Sequence, residues 1–381
     1  MGKSIRFFML LIMLFFLMGC GSTATLPTAP LVLSDEEIEP QKVSATLVAV
    51  GDIMVHDTQI AAAFNPVDKS YNFDESLLEV KGYLNSGNLT LGNLETTFAG
   101  EDLKYTSYPL FNTPESLAKT LKEMGFDILF TANNHSFDRK EIGVARTIEY
   151  LKKSGLEYVG TRQFSEESPI LLKEVNGIKM AFLAYTYGLN GFKLPKDKEY
   201  LVNLINTDKI IADVQLIREQ VDLVVCHLHF GVEYSTTPSE EQKKLVNTLL
   251  DSGVDIILGS HPHVLQEIYL NEERDKLVLY STGNFVSSQK GLERQAAAIY
   301  RIHITKDLDK LKTDIFKVEY IPIYTQRYLE NKKLKFKVLP IIDTLQNKPY
   351  PFLMEQDYAV LEMALKHVQS IMPSEVKVFV N

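Results

Sequence analysis

The sequence predicts an α/β fold with helices outside its sheet, and a second, more antiparallel sheet late in the chain. Three observations predict it. Short apolar runs alternate with stretches of helical spacing from about residue 44 to residue 281. Several helical stretches stop at a glycine, at Gly125, Gly155 and Gly253. After Arg294 the alternation ends, and 296–304 and 312–324 read as paired strands with no helix between them.

The N-terminus reads as a targeting segment. Lys3 and Arg6 precede an apolar run over 7–18, too short and wrongly flanked for an ordinary membrane span. The run ends Leu17-Met18-Gly19-Cys20, which resembles a bacterial lipobox, where the cysteine becomes the lipidated first residue. Residues 1–19 are therefore expected to be a lipoprotein signal peptide, with Cys20 as the lipidation site and a membrane anchor outside the cytoplasm. A plain secretory signal or an uncleaved anchor is the alternative. Residues 20–43, rich in Thr, Pro and Ala and then acidic, read as a flexible tether. Lipidation leaves Cys226 alone, so no intrachain disulfide is expected, and its apolar run over 221–226 makes it a small buried hydrophobe.

The main domain is expected over 44–325. A strand over 44–50 leads to Asp52, and a helix over 75–86 follows. A strand over 88–94 ends at Glu95, and a helix spans 115–124. A strand over 127–131 runs into Asn134 and His135, before a helix over 141–154. Further strands over 178–187, 221–229, 254–259 and 277–281 are separated by helices over 208–220 and 239–252. Residues 326–381 are expected to be a C-terminal extension, with a helix over 352–371 packed on the domain or on a partner.

With 381 residues, 45% of them hydrophobic, the chain has ample material for a core. A net charge of −9, with no basic run beyond a Lys-Lys pair, excludes nucleic acid as the natural partner.

Residues with ligating or proton-transfer chemistry gather at the expected strand ends: Asp52, Glu95, Asn134, His135, His227, His229, His261, His263 and Asn284. Six of the eight histidines lie at or just past strand ends, His56 among them. In α/β folds, sites form at such ends. Residues i and i+2 of an extended segment share a side, so His227 and His229 can share a face, and Pro262 is expected to keep His261 and His263 extended. Imidazole, carboxylate and amide oxygen suit zinc, manganese or iron. The set is too large for one tetrahedral ion and suits a pair of divalent ions, which can clamp a displacement at phosphorus or carbon.

Several motifs carry a family resemblance. Gly51-Asp52-Ile53-Met54, Gly92-Asn93-Leu94-Glu95 and Ala132-Asn133-Asn134-His135 with Asp138 come first. His229-Phe230-Gly231-Val232-Glu233-Tyr234, Gly259-Ser260-His261-Pro262-His263-Val264 and Tyr280-Ser281-Thr282-Gly283-Asn284-Phe285 follow. Together they resemble the CapA/PgsA family of bacterial poly-γ-glutamate capsule synthesis and export, over about residues 45–325. That family in turn resembles calcineurin-like metallophosphoesterases. The resemblance implies a two-sheet αββα sandwich of the metallophosphoesterase type. It implies Asp52 and His263 on one metal, Glu95 bridging both, and Asn134, His229 and His261 on the second. It also implies His135 as general acid, with Asp138 either orienting it or capping the next helix. Where phosphoesterases open Asp-x-His, this chain has Asp52 with His56 further on, and Glu95 stands where Asp is common. His56, His227, Glu233 and Asn284 are candidates for the pocket or for support of the ligands.

Two functions stand open on the sequence. One is an anchored metal-dependent hydrolase acting on a phosphoester or an anionic polymer. The other is a non-catalytic member of a polymer synthesis and export assembly, its partners the synthase and export components. A metal- or solute-binding lipoprotein is a third.

Overall fold

The computed structural model describes residues 41–379. The expectations for the signal peptide, for Cys20 and for most of the tether lie outside the described residues.

Two sheets form the framework. The first contains β1 (Lys42–Ile53), β2 (Leu89–Leu94), β3 (Ile128–Phe130), β4 (Glu157–Val159), β11 (Asn284–Val286), β12 (Ala296–Asp307), β13 (Lys312–Glu330), β14 (Lys333–Pro340) and β15 (Val376–Val378). Its order is β14-β13-β12-β1-β2-β3-β4, with β11 beside the end of β1 and β15 beside β13. The second contains β5 (Leu171–Val175), β6 (Ile178–Thr186), β7 (Leu223–His229), β8 (Ile256–Ser260), β9 (Ile268–Leu270) and β10 (Leu277–Leu279), in the order β5-β6-β7-β8-β10-β9. β1 to β4 run parallel, as do β6, β7, β8 and β10, while β12, β13 and β14 in the first sheet and β5 and β9 in the second pair antiparallel. Parallel pairing brings the C-terminal ends of consecutive strands to one edge, which is why the candidate residues meet.

Alternation along the strands builds the layers. Leu47 and Ala49 of β1 face Phe182, Ala184 and Val225 of the second sheet in one central core. Val48 and Val50 face outward and pack with Leu77, Leu117 and Leu121 of helices on the outer side. Ala181, Leu183 and Val224 meet Ile210 and Val214 of the helix Thr207–Ile217 and Leu249 of the helix Glu240–Asp251. The result is helix, sheet, sheet, helix. Local chemistry agrees with the sequence at both ends of these helices. Ser239 and Gln242 form a reciprocal cap at the start of Glu240–Asp251, and Gly125 ends Ser116–Met124 at φ 109.

Three expectations need correction. The boundary at residue 325 falls inside β13, which continues to Glu330 and turns through Asn331 and Lys332 into β14. Both turn residues have positive φ, 50 and 64, as a two-residue hairpin requires. The helix Glu355–Ile371 then lays Tyr358, Leu361, Ala364 and Val368 into the central core, so residues 326–379 complete the sandwich. At the other end β1 begins at Lys42, inside the expected tether. The helix expected over 75–86 is broken into Asp74–Leu77, a 3-10 turn and Lys81–Leu84.

Candidate metal centre

β1 delivers Asp52, and a glycine makes that possible. A Cβ at Gly51 would lie 1.8 Å from the carbonyl oxygen of Gly283, so only glycine allows β1 and β11 to close. Across this contact Asp52 pairs with Asn284. Glu95 follows β2, Asn134 and His135 follow β3, His229 ends β7, and His261 and His263 follow β8. All of them are at least nine-tenths buried.

These side chains form two groups that meet at one residue. Asp52, Glu95 and His229 place ligand atoms within 4.8 Å of one another, and so do Glu95, His261 and His263. Glu95 is common to both. His229 groups with Asp52 and His261 with His263, while His263 also lies 3.0 Å from Asp52 and His229 2.8 Å from Asn134. His261 and His263 are also not extended. Their φ values are 98 and 60, a curl that Pro262 does not prevent and that turns both rings toward Glu95.

The electrostatics show a shortage of positive charge. Burial alone would raise the Asp52 carboxyl, but His263 Nδ1, donating to Asp52 Oδ2 at 3.0 Å, and the Asn93 amide, donating to Oδ1 at 2.8 Å, hold it below its usual range. Glu95 has less help, a long 3.4 Å contact from the same Asn93 amide to its Oε2. Burial, then the charges of Asp52 and Glu233, push its carboxyl well above the usual range. Its Oε1 is buried without a hydrogen-bond partner, 3.7 Å from His229 Nε2 and 3.8 Å from His263 Nε2. Burial pushes His261 down to about 4 and His229 well below the usual histidine range, so both are neutral imidazoles, the form that ligates metal. His261 Nδ1 is likewise buried without a partner. A buried carboxylate facing neutral imidazoles is costly alone and is compensated by divalent cations. The donor set therefore fits a two-ion cofactor.

Supporting residues complete the site. His227 stacks on Phe130 at 4.5 Å and lies 2.9 Å from Ser260 Oγ, which in turn lies 2.8 Å from His229 Nδ1. His227 and His229 thus share a face, and Ser260 fixes the ring of His229. His229 Nε2 donates to Asn134 Oδ1 at 2.8 Å. His135 Nδ1 donates to Asp138 Oδ2 at 2.7 Å, and the Phe111 backbone N–H donates to the same oxygen. Asp138 is not the helix cap, because that position falls to Arg139 without a side-chain bond.

The remaining candidates lie outside the two groups. His56 caps the helix Asp57–Ala63 and sits 5.4 Å from the Phe111 ring. Glu233 is exposed at the rim. Asn284 donates to Gln289 and to the Arg294 carbonyl, with its Oδ1 buried and unpartnered. Cys226 is buried, and burial pushes its thiol up, which makes it inert.

Sequence reasoning missed Asn93, Ser260, Tyr187 and Asn190. Asn93 stands two residues before Glu95 in β2, so period-2 alternation gave a signal for it. Tyr187 lies 4.6 Å from the His261 ring, and the Asn190 amide lies 3.3 Å from His135 Nδ1. Both come from a loop, which carries no such signal.

A mixed two-sheet sandwich with a two-ion donor set at the strand ends defines the class of protein. The family is shown by sequence: residues 46–289 match the model of the bacterial capsule synthesis protein PGA_cap, and the chain belongs to that family. It is 31% identical over 270 residues to the capsule biosynthesis protein CapA of Bacillus anthracis, covering 68% of this chain and 64% of the relative. It is 31% identical over 244 residues to the PGA biosynthesis protein CapA of Bacillus subtilis (strain 168), covering 61% and 60%. The chain thus spans less than two thirds of either relative. Among solved structures, similarity extends to the NAD nucleotidase NadN of Haemophilus influenzae, with a TM-score of 0.48, 12% identity and coverage of 89% and 57%. It extends also to a phosphatase from Mycoplasma pneumoniae, with a TM-score of 0.44, 16% identity and coverage of 74% and 95%.

Proposed function

We propose that this protein is a two-metal hydrolase of the phosphoesterase type that serves bacterial capsule polymer synthesis or export outside the cytoplasm. The observation that carries the proposal is the buried Glu95 carboxylate with its Oε1 unpartnered, shared by two groups of ligands beside the His135–Asp138 pair. A bound pair of divalent ions supplies Lewis acidity and a nucleophile at neutral pH. The chain's own residues do the rest. Asp138 accepts from His135 Nδ1, so the Nε2 edge of the ring is left to hold a proton for a leaving group. Asn134 and Ser260 orient His229, and Phe111 packs against His135 at 4.6 Å. The acidic polymer poly-γ-glutamate is the substrate class favoured by the family, with a phosphoester as the alternative. A lipid at Cys20 would hold the protein at the membrane. Among the described residues no helix is long and apolar enough to cross one.

The test is hydrolysis of a phosphodiester such as bis(4-nitrophenyl) phosphate by the full chain in detergent, reconstituted with Mn²⁺, Zn²⁺ or Fe²⁺. His135→Ala is expected to keep its metal and lose about 10²–10⁴-fold in kcat. Equal turnover by His135→Ala and wild type would overturn the assignment of His135. No turnover on any phosphodiester or polymer, with metal bound, would favour the non-catalytic assembly role. One observation supports that second reading: Asp52, Asn134 and His229 already satisfy one another or their neighbours by hydrogen bonds.

A further inference from the structure

We propose that a cavity beside the metal centre is a binding subsite for an acidic, amide-linked chain; this rests on the reading of an acidic polymer as the substrate class. The cavity encloses about 410 Å³, between the segment after β6 and the start of the helix Thr207–Ile217. That volume is in the range of small-ligand sites. Phe192, Leu194, Val202 and Leu204 give it apolar walls. Its charged lining is Arg162, Lys193 and Lys209 against one acid, Glu199. In a chain of net charge −9, this is a local reversal of sign that draws an anion.

The polar groups on the wall want partners. Lys209 is held by Asp213 at 2.9 Å, whereas no ion pair involves Arg162 or Lys193 among the described residues. Arg162 Nη1 donates to the Glu167 carbonyl at 3.1 Å, and its Nε is buried without a partner. Asn203, 3% exposed, donates from Nδ2 to the Ala184 carbonyl at 3.3 Å and leaves Oδ1 buried without a donor. Two residues that line the cavity, Arg162 and Asn203, thus each keep one buried polar atom unpaired. Guanidinium and ammonium groups suit carboxylates, and the amide oxygen of Asn203 suits an N–H. A chain of amide-linked acidic residues offers both at every repeat.

One loop joins the cavity to the metal centre. Tyr187 packs on His261 and Asn190 on His135, while Phe192 and Leu194 of the same loop form the cavity wall. A polymer held at the metal centre therefore has this cavity as its neighbouring subsite.

The test is calorimetric titration of the chelator-treated full chain in detergent with γ-linked hexaglutamate, α-linked hexaglutamate and inorganic phosphate. Wild type is expected to bind an acidic hexapeptide, the tighter linkage identifying the polymer. Arg162→Gln and the exposed Lys193→Glu should each weaken binding at least tenfold. Metal-loaded samples of both variants should hydrolyse a small phosphodiester as wild type does. Equal peptide binding by wild type and Lys193→Glu, binding of phosphate alone, or no peptide binding by wild type would overturn the proposal. Because the titration needs no metal, it stands apart from any failure of the hydrolase reading.

Discussion

Two clusters of histidine and carboxylate, one on the first sheet and one at the strand ends where the two sheets meet, differ in what they lack. On the β12–β13 pair, Glu319 receives Arg301 at 2.7 Å, His303 at 2.7 Å and Lys317 at 2.5 Å. Burial would raise its carboxyl, but Lys317, His303 and Arg301 outweigh burial and hold it below the usual range. At the strand ends Glu95 is deeper, lies beside the neutral His229 and His261, and is pushed the other way. The residue types overlap, yet one cluster is neutralised from within and the other is not. A cluster that supplies its own cations is structural. A cluster short of positive charge, with a ligand atom left unpartnered, is built for cations from outside.

The sharpest way to break this comparison is to neutralise both carboxylates. Glu95→Gln is expected to abolish binding at both ion sites and to lower phosphodiester hydrolysis by roughly 10³-fold or more, since the shared ligand is lost. Glu319→Gln should leave metal content and turnover at wild-type values. Metal analysis paired with steady-state kinetics on the two variants distinguishes them, and equal losses would erase the contrast.

Asp138→Asn tests the His135 pair with a smaller effect. Its amide cannot serve as a charged acceptor for both His135 and the Phe111 N–H. A loss of roughly 10–100-fold in kcat is expected with metal content intact, in the range for groups that orient catalytic or ligating histidines. A wild-type kcat in this variant would mean that the hydrogen bond only caps local structure.

Stability in chelator should reverse the order of the two glutamates. Glu319→Gln strands Arg301 and Lys317 and is expected to cost about 2 kcal/mol. Glu95→Gln relieves an uncompensated buried carboxylate and should be neutral, or stabilising by about 1 kcal/mol. Urea midpoints of the two variants measure this directly, and destabilisation by Glu95→Gln in chelator would count against the charge-shortage account.

The smallest effect is in pH. His261 is held down to about 4 and His227 to about 3, both by burial, against about 6.5 in an unfolded chain. The unfolded state therefore binds more protons below 6.5. Stability from these groups is complete above about pH 6.5 and is lost on acidification, by up to about 1.4 kcal/mol per pH unit for each. Glu319 behaves as a depressed carboxylate, its contribution present above the usual glutamate range and lost only below it. In chelator, His227→Phe should flatten the urea midpoint between pH 6.5 and 4. An unchanged slope would show that His227 does not resist protonation.

Much of this was legible in the sequence, for physical reasons. Parallel strands deliver their ends to one edge, so apolar runs ending in Asp52, Glu95, Asn134, His229 and His261 marked a site before any coordinates. The helix stop at Gly125 is local chemistry and read correctly. What escaped depends on tertiary contacts. The curl at His261 and His263 runs against the extended preference around Pro262 and accompanies contacts distant in sequence, His263 with Asp52 and His261 with Tyr187. β14 carries the alternation Lys333-Leu334-Lys335-Phe336-Lys337-Val338, a clear strand signal. It was obscured because the Asn331-Lys332 turn lacks the glycine usual in such hairpins. Ser260 comes beside His227 and His229, and Asn190 beside His135, only in three dimensions.

The most direct measurement is the metal content of the full chain after removal and restoration of divalent ions. The account predicts close to two ions per wild-type chain, and none in Glu95→Gln. A wild-type chain that stays folded and takes up no ion, across Mn²⁺, Zn²⁺ and Fe²⁺, would contradict it.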